Sequence, residues 1–224
     1  KIESSRSAYI ILNRGIDIIF NAQSANFSDL TLNPKSLQIC LACIILFDEE
    51  LEEIRTRLME MGGKVEQQLH NAIKAVSEAD SQLAEEVITQ EQIVDNMEVD
   101  IDEACILIIA RRQPAASDLR LVMMVTKAVN DLERIGDEAK KIANHAILLS
   151  EDINLSKGYP EIRHIGTSVI KMLANALDAF ARFDADAAIR TIEEDKQIDL
   201  DYKTALREVV TYMMEDPRSI SRAI

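Results

Sequence analysis

Leu121-Val-Met-Met-Val-Thr-Lys-Ala-Val-Asn-Asp-Leu-Glu-Arg-Ile-Gly-Asp-Glu-Ala-Lys-Lys-Ile-Ala-Asn-His-Ala-Ile-Leu-Leu149 decides the fold class of this chain. Leu121, Val125, Ala128, Leu132, Ile135, Ala139, Ile142, Ala146 and Leu149 recur in alternating steps of four and three. That spacing is the seam of a helix in a bundle. At about 100° per residue, Glu133 and Asp137 fall roughly 120–160° from the centre of that seam, in line with Thr126, Asn130 and Asn144. They are expected on the outer flank.

The preceding segment repeats the pattern. Val94, Met97, Ile101, Ala104 and Ile108 form its seam, and Glu91, Asp95, Glu98 and Asp102 form an acidic stripe on the far flank. Helices are expected over about 48–79, 81–111, after Pro114 to about 150, 161–182 and 185–214, with a sixth opening at Pro217. Gly62-Gly63 marks a kink or a close-packing point, and Asp80 is an expected N-cap. Asn154–Pro160 reads as a linker. An offset of 104 aligns Gly62–Ile88 with Gly166–Ile192, matching Gly62 to Gly166, Asn71 to Asn175 and Asp80 to Asp184. The same register sets Glu91 on Asp195 and Asp95 on Asp199. The fold class expected is all-α: two repeated three-helix bundles over 47–153 and 160–224, behind an atypical, partly disordered extension at 1–46.

Composition narrows the function. The net charge is −14 over 224 residues, with tryptophan absent and few glycines and prolines. So acidic a chain is a poor partner for nucleic acid or for an anionic membrane surface. The apolar run Ile39–Phe47 is far shorter than the roughly 20 residues that span a bilayer, and it lacks a basic lead-in. Cys40, Cys43 and Cys105 form no spaced framework and read as free thiols of a reducing compartment, so a cytoplasmic protein is expected.

Two carboxylates at i and i+4 share one helix face and repel each other. In both Glu91/Asp95 and Glu133/Asp137 the residue four after the first acid is a second acid and not a base, and the first pair recurs as Asp195/Asp199. These six residues are the candidate metal ligands. A carboxylate-only set favours Mg²⁺, Mn²⁺ or iron over Zn²⁺. A carboxylate-bridged helical metalloenzyme is one competing reading, and a plain helical scaffold with solvated acids is another. The enzyme would need two Glu-x-x-His motifs, and only Glu161-Ile-Arg-His164 fits, in a helix-entry position. No nucleophile–base pair or phosphate-cradling loop is found. Arg111-Arg112 closes a helix, where cations meet the dipole favourably.

The segments Ala110-Arg-Arg-Gln-Pro-Ala-Ala-Ser-Asp-Leu-Arg120, Asp131-Leu-Glu-Arg-Ile-Gly-Asp137 and Phe180-Ala-Arg-Phe-Asp-Ala-Asp186 resemble the PhoU family of bacterial phosphate-uptake regulators. Tyr202 to Ser221 adds to the likeness, which runs over about 47–224. The resemblance implies multinuclear metal clusters on the bundle surfaces. Glu133 and Asp137 match the family motif, Glu91 and Asp95 are its partner pair, and Asp195 and Asp199 are half of a second site. It also implies a non-catalytic homodimer that links the phosphate transporter's ATPase subunit to a membrane sensor histidine kinase, repressing the phosphate-starvation response. On that pattern the second motif belongs near 236, past Ile224, so the last helix is expected to be cut short and the second bundle to expose an apolar groove.

Overall fold

The computed structural model describes residues 34–150 and 160–215. They form five helices: α1 (Pro34–Glu78), α2 (Ser81–Arg112), α3 (Ala116–Ser150), α4 (Pro160–Arg182) and α5 (Ala185–Glu215). No strand occurs among the described residues, and the fold is all-α. No described helix is long and apolar enough to cross a membrane. Four helices fall where their periodicity puts them. The first begins at Pro34 instead of near 48. Nothing between Lys35 and Phe47 breaks a helix, and proline is well tolerated in a first turn. The rest of the extension, the linker up to Tyr159 and the helix expected from Pro217 lie outside the described residues.

The chain divides into two compact units, 1–52 and 53–224, with the boundary inside α1. Every contact below belongs to the second unit. There the sequence repeat is also a geometric one. Asp80 caps α2 by accepting from Leu83 N at 3.0 Å, and Asp184 caps α5 by accepting from Ala187 N at 2.9 Å. The residue before each cap, Ala79 and Phe183, has φ of 53°, the left-handed turn that ends a helix. Asp80 N then donates to Ala75 O at 3.0 Å and Asp184 N to Ala179 O at 2.9 Å. Two residues suffice to reverse the chain in both hairpins.

The two halves also meet reciprocally. A Cβ on Gly62 of α1 would lie 2.6 Å from Leu177 Cδ2 of α4, and one on Gly166 of α4 would lie 2.6 Å from Ile73 Cδ1 of α1. Leu177 is the repeat counterpart of Ile73, so each half offers its glycine to the other's branched side chain. This is the self-complementary contact of a two-fold pair, made within one chain. Of the two readings of Gly62-Gly63, Gly62 is the close-packing point, whereas a Cβ on Gly63 would meet nothing within 4 Å.

The core is built mainly from α1, α2 and α3. Leu69, Ala72, Ile73 and Ala75 of α1 pack with Ala84 and Val87 of α2 and with Ala139, Ala143 and Ala146 of α3. Val169, Ile170 and Leu173 of α4 close on this cluster while staying partly exposed. Beside them opens an apolar groove of about 540 Å³, lined by Leu69, Ile135, Leu173, Ala188 and Ile192 among others. On α5, Ile189, Ile192, Leu200, Leu206, Val210 and Met214 are exposed.

The seams of α2 and α3 depart from expectation by half a step. On α3 the buried stripe is Val122, Val125, Val129, Leu132, Gly136, Ala139, Ala143 and Ala146. Leu121, Ala128, Ile135, Ile142 and Leu149 are only half-buried. On α2, Val94, Ile101 and Ile108 are buried as expected, but Cys105 replaces Ala104, and Met97 is half-buried beside Glu98. Size accounts for part of the shift on α3: where helices approach closely, Val122, Gly136 and Ala143 go inside in place of the larger Leu121, Ile135 and Ile142. Val129 and Cys105 follow the same rotation although they are larger than Ala128 and Ala104. At Gly136 a Cβ would sit 3.3 Å from Gln68 Oε1 of α1 and 3.4 Å from Val94 Cγ1 of α2. Three helices converge on that glycine.

Candidate metal centre

Turning the seams brings the acids inward. Glu91 is 9% exposed, and Asp95, Glu98, Asp102, Glu133 and Asp137 are half-buried. The expectation that the acids of α2 and α3 lie on outer flanks is therefore corrected. They lie along the edge of the α2–α3 contact, because the buried stripes of both helices are rotated toward them.

The two helices run antiparallel through the turn Gln113–Ala115. Gln113 ends α2 in the left-handed conformation and donates its N–H to Ile109 O at 3.2 Å. Facing positions fix the register: Lys140 bonds Glu91, Gly136 approaches Val94, and Thr126 lies within bonding reach of Cys105. On this register Glu98 comes opposite Glu133, and Asp95 opposite Asp137. Six carboxylates thus form one line, four from α2 and two from α3.

Charge along the line is poorly compensated. Burial, then Asp102, Asp95 and Asp137, push the Glu98 carboxyl above its ordinary range. Glu133 is raised by burial, then by Asp137, Glu98, Asp95 and Glu91. Asp102 keeps one buried carboxylate oxygen with no hydrogen-bond partner. The cation bonded to the line is Lys140, whose Nζ hydrogen-bonds both carboxylate oxygens of Glu91. Its neighbour Lys141 turns away to Glu138 at 2.8 Å. Raised carboxyls, an orphaned carboxylate oxygen and an all-oxygen donor set fit a hard divalent cation. In the arrangement described, no three acid, histidine or cysteine side chains converge on a common point among the described residues.

Sequence reading named Glu91, Asp95, Glu133 and Asp137, and the structure brings all four to this line. Glu98 and Asp102, part of the acidic stripe but outside the six candidate ligands, lie on it as well. Lys140 was missed because its partner is on the other helix. The signal was present: Lys140 stands seven residues after Glu133, as Glu91 stands seven before Glu98. Asp195 and Asp199 are exposed on α5, and Asp195 borders the apolar groove. The helix expected to supply the partners of this pair lies outside the described residues. His164 is exposed in the first turns of α4, with Nε2 3.6 Å from Asp201 Oδ2. Cys105 is buried, as expected of a free thiol, and burial raises its thiol pKa. The side chains of Cys40 and Cys43 lie outside the described residues.

Fold and site together define an all-helical repeat protein that carries its acidic residues in a line along a helix–helix seam. The PhoU domain family matches residues 58–146 and 162–224. Over 178 residues the chain is 58% identical to the phosphate-specific transport system accessory protein PhoU homolog of Pseudomonas putida, covering 80% of this chain and 70% of that protein. It is 50% identical to the phosphate-specific transport system accessory protein PhoU of Escherichia coli K12, over 78% of this chain and 72% of that one. The crystal structure of PhoU from Pseudomonas aeruginosa superposes with a TM-score of 0.76 at 56% identity, covering 79% of this chain and 85% of that chain. The chain belongs to the PhoU family.

Proposed function

We propose that this protein is a cytoplasmic, metal-binding negative regulator of phosphate transport and of phosphate-starvation signalling, acting through protein contacts and without turnover. The transport role rests on its relatives, which are named as phosphate transport accessory proteins. The α2–α3 line is the observation that carries the metal role: six carboxylates on one seam, two of them held above their ordinary range. Glu91, Asp95, Glu98, Asp102, Glu133 and Asp137 would hold divalent or iron cations, and Asp195 and Asp199 would contribute to an equivalent site in the second repeat. A bound cation supplies positive charge that offsets the repulsion along the line. The side chains themselves set which oxygens face the seam and keep the two helices in register. The partners would be the transporter's ATPase subunit and the membrane sensor kinase, engaged by a homodimer.

In a bacterium lacking its own PhoU, the protein should restore repression of phosphate-starvation genes in phosphate-rich medium and co-purify with the transporter ATPase or the sensor kinase. Failure to repress, alongside metal-dependent turnover of a small substrate, would favour the metalloenzyme.

A further inference from the structure

Lys140 holds the end of the acid line as a bound cation would. Its ammonium bonds both carboxylate oxygens of Glu91, which is 9% exposed. One ammonium thus engages both oxygens of the carboxylate at once, where a cation chelated by Glu91 would have to bind. The lysine side chain keeps 37% of its surface in water, so it can leave along its flexible stem without disturbing the core. Its position decides what it does. Lys140 sits one turn after Asp137 on α3 and faces Glu91 on α2, so it occupies one end of the line, while Glu98 and Glu133 lie two turns further in. Lys141, one residue on, hydrogen-bonds Glu138 instead and feels Asp137 and Glu133 of the line only through their charge.

We propose that Lys140 is a built-in competitor for cations: its ammonium occupies the Glu91 end of the line, confines a divalent ion to the Glu98–Glu133 centre, and weakens binding there. The inference rests on the metal reading above and adds a regulator of affinity to it. An ammonium near a doubly charged ion, at the dielectric of a half-buried site, opposes binding strongly enough to matter. In the metal-free chain the same ammonium neutralises the most buried carboxylate of the line and so helps hold α2 against α3. Glu91, a ligand by sequence, is then the lysine's partner until the lysine swings out.

Titration of Mn²⁺ alone into the metal-stripped full chain tests this. Lys140→Met should bind Mn²⁺ about tenfold more tightly or better, while its metal-free melting temperature drops by several degrees. Lys140→Arg, which keeps the charge, should return both values toward the parent's. If Lys140→Met does not fold, Lys140→Gln removes the charge while keeping a hydrogen-bond donor, with the same expected result. Binding of Mn²⁺ by the parent with equal or weaker binding by Lys140→Met overturns the competitor role and leaves the metal reading standing. No Mn²⁺ binding by parent or variants overturns both.

Discussion

Three glycines on α1 and α4 test the reciprocal packing of the two repeats, because alanine meets a different environment at each. Removing glycine from a helix interior stabilises it by about 1 kcal/mol. At Gly63 that gain stands alone, since a Cβ there meets nothing within 4 Å. At Gly62 the new methyl would lie 2.6 Å and 2.9 Å from the two terminal methyls of Leu177. Leu177 is half-buried and can rotate away, so repulsion and propensity should roughly cancel. At Gly166 the methyl would lie 2.6 Å from Ile73 Cδ1, 2.8 Å from Cγ2 and 3.0 Å from Cγ1. Ile73 is buried, and its Cγ2 is attached directly to Cβ, so the helices themselves must part. Overpacking of this kind costs about 1–3 kcal/mol, leaving Gly166→Ala about 1 kcal/mol less stable than the parent after the propensity gain. The spread from Gly63→Ala to Gly166→Ala is therefore about 2 kcal/mol, or roughly 4–8 °C in melting temperature for a chain of this size. Thermal and urea unfolding followed by far-ultraviolet circular dichroism would measure it. Equal stability of Gly166→Ala and Gly63→Ala would refute the α1–α4 contact described above.

Other outcomes follow from the turns and the acid line. Asp80→Ala and Asp184→Ala should each lose about 1 kcal/mol by thermal unfolding, and loss at only one would mean that the two turns are not equivalent. Glu98 and Glu133 have folded-state pKa values above the ordinary value of 4.5. The folded chain therefore binds more protons there than the unfolded chain, and stability falls as pH rises through the raised values. In metal-free protein, Glu98→Gln with Glu133→Gln should flatten that fall and raise stability at neutral pH, and urea unfolding at several pH values showing the same slope in parent and variant would contradict it. Gln68, fully buried with Oε1 unpaired and Nε2 donating to Val87 O at 3.3 Å, should tolerate Gln68→Met with little loss, since one oxygen is already unsatisfied. A large loss in melting temperature would show that Gln68 fixes the meeting of α1, α2 and α3.

Much of the fold is legible in the sequence because helix ends carry local chemistry. Asp80 and Asp184 announce their caps, and Arg111-Arg112 marks the end of α2. The repeat is legible through Gly62/Gly166 and Asp80/Asp184, residues that a chance match of alanine-rich helices would not pair. The angular position of the acids was not legible. It depends on whether Leu121 or Val122, and Ile135 or Gly136, faces inward, and that is settled by three helices converging on Gly136. Lys140 was illegible for a related reason: its partner Glu91 is close only after the α2–α3 register is known. The helical start at Pro34 was not legible because Ile39–Phe47 is a continuous apolar run, without the three-and-four spacing that marks a helix face.

The most direct test of the central claim is metal content. Full-length protein reconstituted with Mn²⁺ or Fe²⁺ and freed of loosely bound ions should hold stoichiometric metal, whereas Glu133→Ala with Asp137→Ala should hold none at unchanged helicity, since neither side chain is fully buried. Equal metal content in the two proteins would contradict the assignment of the α2–α3 line as the metal centre.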